Sequence, residues 1–224
     1  MEYTNKKLLS IVGAKQSGKD TIAGLIGILT SDTAITIGTK YVAESLSNTE
    51  NMLIPYLDSK YWYPTYKVDK FARKVKEVAT IITGIKDWED VSKRSEIVSI
   101  YNMTRREILQ KIGTDCMRDN FDKDVWVKAL FSDLDPLLDA GNSFIISDTR
   151  FPNEVTAIRD RGGILIKVTR PGYEGDSHES ERALDGFNGY DHYIQNNYGY
   201  KELVDQVYAF INQLNSLKHE ETIS

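Results

Sequence analysis

Apolar positions along the chain follow two rhythms. Leu8-Leu9-Ser10-Ile11-Val12 is a short, almost continuous apolar run ending at Gly13, which predicts a buried strand; Thr21 to Leu29 then carries apolar residues at helical spacing. Strand, glycine turn and helix follow in that order. Residues 31–66 are polar and aromatic (Tyr41, Tyr56, Tyr61, Trp62, Tyr63, Tyr66) without a sustained period apart from a short helix near Val42–Leu46, and about 31–64 read as an insertion. Tyr66 to Phe71 alternates as a strand would, and a helix from about Arg73 to Thr83 should stop at Gly84. Thr104-Arg105-Arg106-Glu107 has capping-box spacing and opens a helix through Ile112. Asp124 to Leu138 is a helix broken or kinked near Pro136. Ser143 to Asp148 is an apolar run too short for a helix and better read as a central strand. Pro152 suits the first turn of a helix reaching Gly162-Gly163, Ile164–Val168 is a further strand, Tyr193-Ile194 a last short one, and a helix follows from about Lys201 to Leu217. Strands alternating with helices of this length give an α/β fold, a parallel sheet flanked by helices on both faces.

Composition narrows the picture. A chain of 224 residues, 41% hydrophobic and 27% charged, makes one compact domain of ordinary core size. A formal net charge of −5 argues against nucleic acid or a membrane surface as partner, since either needs a positive field over the exposed face, yet leaves room for a local basic pocket. Cys116 stands alone, which rules out an intramolecular disulfide and a thiolate-rich zinc site and fits a reducing compartment. Leu8–Gly13 is too short for a signal core or a membrane span, so a cytoplasmic location is expected.

The chemistry concentrates at Gly13-Ala14-Lys15-Gln16-Ser17-Gly18-Lys19-Asp20-Thr21. Glycines five apart and then lysine suit a loop that wraps a phosphate with backbone amides, Lys19 meeting the β- and γ-phosphates at the positive end of the next helix. Asp20 stands where the usual pattern has the magnesium-binding Ser or Thr, and a carboxylate is an acceptable hard ligand for Mg²⁺. Asp148 and Arg150 follow the most apolar strand, at the end where open α/β sheets bind ligands. Asp148 could hold the magnesium hydration shell, serve the acceptor as general base, or simply make a turn. Lys67, Lys70, Arg73, Lys74 and Lys76 against Asp69 make residues 67–76 basic, and Arg106 and Lys76 are candidates to grip an acceptor phosphate, against a plain reading as solvated helix faces. Arg170, beside Pro171-Gly172, suits transition-state charge stabilisation from a lid. Residues 173–191 are acidic, with Glu174, Asp176, Glu179, Glu181, Asp185 and Asp191 against Arg182. Trp126 fits a core position better than a base-stacking one, and His178, with no second histidine at helical spacing, makes a poor metal ligand.

Gly13 to Thr21, Arg106 with Leu109-Gln110 and Gly113-Thr114-Asp115, Asn120-Phe121-Asp122 with Trp126-Val127-Lys128, Asp148-Thr149-Arg150 with Glu154, and Val168-Thr169-Arg170-Pro171-Gly172 together resemble tailed-bacteriophage deoxynucleoside monophosphate kinases, in order, over most of residues 8–215. The resemblance implies a P-loop NTPase of the nucleoside-monophosphate-kinase fold, a single domain over 1–224 with an NMP-binding region at about 71–128 and a lid at about 171–190. It implies ATP and Mg²⁺ as cofactors and a dNMP as substrate, and is compatible with a homodimer. Lys15 to Thr21 match the ATP-phosphate loop, with Asp20 the family's own residue and the metal contact. Val75, Lys76, Arg106, Gly113, Thr114, Trp126, Asp148, Arg150 and Glu154 match positions around the acceptor, which raises Trp126 to a substrate wall. Either Lys93 or Arg94 corresponds to a further substrate contact; Arg94 is taken here. Lys19, Arg150, Arg170 and Asp148 form the implied catalytic set. Ile194 to Gly199 resembles an adenine-contacting Asn-Asp-Gly segment, with Tyr198 where glycine is expected. Animal-type phosphomevalonate kinases are similar in the Gly-Lys-Asp loop and in Asp191…Ile194…Asn196. A nucleotide-binding switch without a second substrate would leave Arg105, Arg106 and Arg150 without a ligand, and the chain has no Asn-Lys-x-Asp guanine signature.

Overall fold

A computed structural model describes residues 8–31, 39–47, 65–173, 182–197 and 199–221. Its elements run β1 (Leu8–Val12), α1 (Lys19–Leu29), α2 (Thr39–Ser47), β2 (Tyr66–Asp69), α3 (Phe71–Thr83), a 3₁₀ turn (Val91–Lys93), β3 (Ile97–Val98), β4 (Met103–Thr104), α4 (Arg105–Gln110) and a π-helix (Lys111–Arg118). They continue with α5 (Val125–Asp139), β5 (Ser143–Thr149), α6 (Pro152–Asp160), β6 (Ile164–Thr169), β7 (His192–Gln195) and α7 (Tyr200–Glu221). The chain divides into two compact units, residues 1–69 with 137–224, and residues 70–136.

The first unit is a five-stranded sheet in the order β2-β5-β1-β6-β7, every described pairing parallel. Parallel strands need covered faces, and β1 at the centre is buried at every residue. Helix α1 buries Ile22, Leu25, Ile26 and Leu29 in one core with α2, α7 and the sheet. Each such side chain contributes about 1.5–3 kcal/mol relative to exposure. Between Ser10 and Val12 the register of β1 against β5 shifts, Ser10 pairing with Ile146 and Val12 with Thr149. Inside this irregularity the Ser10 hydroxyl donates to Thr149 Oγ1 at 2.7 Å, satisfying two buried hydroxyls just below the strand ends. Asp191 pins β7 beside β6: its buried carboxylate accepts from Arg159 Nη1 at 2.6 Å and from the Leu165 amide at 2.7 Å.

The second unit is helical apart from the β3–β4 hairpin, and its core is Ala79, Trp88, Ile108, Ile112 and Trp126. Helix α3 starts two residues before the predicted Arg73 and ends at Gly84, as the sequence requires. The Thr104–Glu107 capping box forms with both reciprocal bonds. The helix it opens was expected to run to Ile112, but α4 stops at Gln110 and the chain widens into the π-helix. That wider turn accommodates two constraints on Gly113, which lies so close to Val75 that a Cβ would stand 3.2 Å from Val75 Cγ1, and whose carbonyl accepts from Trp126 Nε1 at 2.7 Å. Pro136 does not break α5, which continues to Asp139, and the boundary between the units falls there. No described helix is long and apolar enough to cross a membrane.

Candidate active site

The loop between β1 and α1 has the form of a phosphate cradle. Gly18 takes φ 101°, a left-handed conformation natural to glycine, and stands at the N-cap of α1 with no side chain bonded to the helix end. The N-terminus of α1 therefore turns its positive dipole end to the loop, the arrangement that favours anions. At Gly13 a Cβ would come within 2.7 Å of both Ser17 Oγ and the Val168 carbonyl, so only glycine fits. Gln16 adopts φ 63° without being glycine. Lys19, only 9% exposed, folds back with Nζ 2.6 Å from the carbonyls of Gly13 and Ala14. Lys15 and Gln16 are exposed and Ser17 is buried.

Asp20 projects exposed from the first turn of α1, and Ser147 Oγ on β5 donates to its Oδ1 at 3.2 Å. Thr21 follows, half-buried. Among the described residues no group of three or more His, Cys, Asp or Glu side chains could hold a metal alone. A single oriented carboxylate beside a phosphate cradle fits Mg²⁺ nonetheless, because that ion keeps several waters and is completed by substrate phosphates. Asp148, half-buried, follows Ser147, and Arg150 lies just beyond the strand. The backbone amides of Arg150 and Phe151 donate to Glu154 Oε2 at 2.7 and 3.0 Å, and Glu154 is 5% exposed. That carboxylate caps α6 and fixes the chain at Arg150.

Just past the end of β6, the strand beside β1, Arg170 Nη1 donates to the Gln16 carbonyl at 3.1 Å while its guanidinium lies 4.2 Å from the Tyr173 ring. Asn196, just past β7, donates from Nδ2 to the Ser17 carbonyl at 3.0 Å. Asn197 is exposed beside it. Neither the partner of Asn196 nor that of Asp20 was legible beforehand: the only signal was the Asp191…Asn196 spacing, which says nothing of where the amide points.

In the second unit the hydrogen bond from the Arg106 amide to the Arg94 carbonyl, 3.1 Å, brings two exposed arginines side by side. The alternative Lys93 is tied to Asp87 at 2.5 Å and to Asp90 at 3.6 Å, which leaves Arg94 the better-placed of the two for an anion. Lys76 is paired with Glu89 at 2.5 Å. Arg105, its side chain 11% exposed, is bound between Asp87 and Glu96 at 2.6 and 2.8 Å. Lys93, then Arg105, hold the Asp87 carboxyl down at about 2. Gly113 and Thr114 lie half-buried in the π-helix. Trp126 is 6% exposed and belongs to the core, where its Nε1 donates to the Gly113 carbonyl. Of the lid at about 171–190, residues 171–173 and 182–190 are described; His178, Tyr198 and most of the insertion at about 31–64 lie outside the described residues.

The sequence profile of the family "Deoxynucleotide monophosphate kinase" matches residues 45–207. A putative deoxynucleotide monophosphate kinase of Acanthamoeba polyphaga mimivirus is 31% identical over 128 residues, 52% of this chain and 66% of that protein. The deoxynucleotide monophosphate kinase of Enterobacteria phage T4 is 26% identical over 239 aligned positions, covering 90% of this chain and 97% of its own. Among solved structures, a dephospho-CoA kinase from Campylobacter jejuni aligns with a TM-score of 0.44 at 14% identity, over 94% of this chain and 98% of that one.

Proposed function

The chain belongs to the deoxynucleotide monophosphate kinase family, a family of phosphotransferases, and from that premise we propose that it moves the γ-phosphoryl group of ATP to a deoxynucleoside monophosphate, giving ADP and the dNDP. The observation that carries this reading is the loop Gly13–Thr21, glycine-only at Gly13, left-handed at Gly18 and opening α1 without a side-chain cap. In the reaction an oxygen of the acceptor phosphate forms a bond to the γ-phosphorus in line with the bond to the β–γ bridging oxygen, which breaks. Little covalent work falls to the protein, so positioning and charge neutralisation supply the rate. The loop amides and Lys19 hold the donor phosphates. For the acceptor phosphate the candidates are Arg150 in the first unit and, in the second, Arg94 and Arg106, each a planar guanidinium; Arg170, bonded to the Gln16 carbonyl, is the candidate to meet charge on the group in transfer. Asp20 would hold Mg²⁺, with Asp148 a candidate for its hydration shell; the ion when bound would neutralise charge on the donor phosphates.

An ATP-coupled assay across dNMPs, ribonucleoside monophosphates and phosphomevalonate tests the reading. Turnover is expected with one or more dNMPs and to fall at least about a hundredfold in Lys19→Ala with the circular dichroism spectrum unchanged. Turnover of phosphomevalonate alone, or full activity in Lys19→Ala, would overturn it.

A further inference from the structure

A phosphate loop works when its amides face the anion, which requires its carbonyls to be turned away and satisfied elsewhere. Here Lys19 takes the carbonyls of Gly13 and Ala14, Arg170 that of Gln16, and Asn196 that of Ser17. We infer that Asn196 is a positioning residue for the donor phosphates, holding the Ser17–Gly18 peptide so that the following amides point into the cradle. The inference rests on the nucleotide-kinase reading above, and assigns to Asn196 a role separate from any contact with the base.

Three features support it. First, the bond from Nδ2 fixes the peptide immediately before Gly18, and Nδ2 lies 2.6 Å from where a Cβ on Gly18 would stand, so glycine at 18 makes room for this amide as well as for the left-handed turn. Second, Asn196 is held by the sheet, because its own amide donates to the Thr169 carbonyl at 2.8 Å. Third, the strand end before it is clamped to α7: the Gln195 amide donates to Gln206 Oε1 at 2.9 Å and Gln206 Nε2 donates to the Gln195 carbonyl at 2.8 Å. An anchor at two strand ends is stiffer than one on a loop, as a preorganised site needs.

The test is calorimetric titration of the full chain with ADP and, separately, with inorganic tripolyphosphate, which carries phosphates and no base. Asn196→Ala should weaken both by about tenfold, the worth of one well-made hydrogen bond. Asn196→Asp, nearly the same shape but without the donor and with a negative charge beside the phosphates, should weaken both further, and with Mg²⁺-ATP the loss should appear in KM more than in kcat. Urea midpoints close to wild type separate this from a general loss of structure, and the near-isosteric Asp variant keeps the test open if the Ala variant folds poorly. Unchanged tripolyphosphate affinity in the variants, with or without weaker ADP binding, overturns the inference. A wild-type chain that binds neither ligand overturns the nucleotide-kinase reading itself, and the inference with it.

Discussion

Glu154 and Ser147 each hold a neighbouring residue of the candidate site, Glu154 through the Arg150 amide and Ser147 through the Asp20 carboxylate. Glu154 is spent on two amides, so Glu154→Ala removes a helix cap and frees the chain that carries Arg150. About 1–2 kcal/mol of stability should be lost in urea unfolding, with a rise in KM for the dNMP, while Glu154→Gln, which keeps one acceptor oxygen, should lose less. Ser147→Ala removes the donor that orients Asp20, and turnover should then need a higher Mg²⁺ concentration for half-saturation; Mn²⁺ binding in the presence of ADP, followed by paramagnetic resonance, should weaken in parallel. An unchanged metal dependence would leave Ser147 with no part in orienting Asp20. Motif spacing made the loop residues legible, because glycine, lysine and carboxylate there answer to local backbone geometry. Ser147 and Asn196 were not legible, because each acts through one hydrogen bond across 127 or 179 residues of chain.

Elements tell a similar story. Periodicity and caps located β1, β5, β6, the capping box and the end of α3 at Gly84, each a matter of local burial or a single cap. The π-helix was not predictable, since its cause is tertiary: Val75 against Gly113 and the Trp126 indole on the Gly113 carbonyl. Trp126→Phe should keep most of the ring's packing but lose the hydrogen bond to the Gly113 carbonyl, lowering stability by about 0.5–1.5 kcal/mol in urea unfolding. If Gly113 and Thr114 border the acceptor, KM for the dNMP should rise with it. Between α3 and α4 the ion pairs around Asp87 are also tertiary. The folded carboxyl at about 2 lies below its ordinary value of 3.8. Its contribution is therefore complete above pH 4 and is lost as pH falls from about 4 towards 2. Comparing the chain with Asp87→Asn in thermal melts between pH 6 and 2.5, the acid-dependent fall in melting temperature should be shallower in the variant.

At the scale of the whole chain, a local count of charge says little about which basic groups are already paired with carboxylates. The basic run at 67–76 looked like a positive crevice, yet Arg73 and Lys74 are shared with Glu77 and Asp133, Lys76 with Glu89, and Lys67 bonds Asn142. That run is largely neutralised by its own neighbours. The groups proposed for phosphates lie in both compact units: the loop, Lys19, Arg150 and Arg170 in residues 1–69 with 137–224, and Arg94 and Arg106 in residues 70–136. A prediction follows that neither activity nor mutagenesis would give. In hydrogen–deuterium exchange, ADP should slow exchange at residues 13–21 and near 170 and 196, leaving 94–118 largely as it was; a saturating dNMP should slow exchange at 94–118. At a hundred times its dissociation constant each ligand should stabilise the folded chain by about 2.7 kcal/mol. Protection of residues 67–76 with 94–118 unaffected would instead return the acceptor to the basic run, where a phosphate would have to displace carboxylates already in contact with Arg73, Lys74 and Lys76.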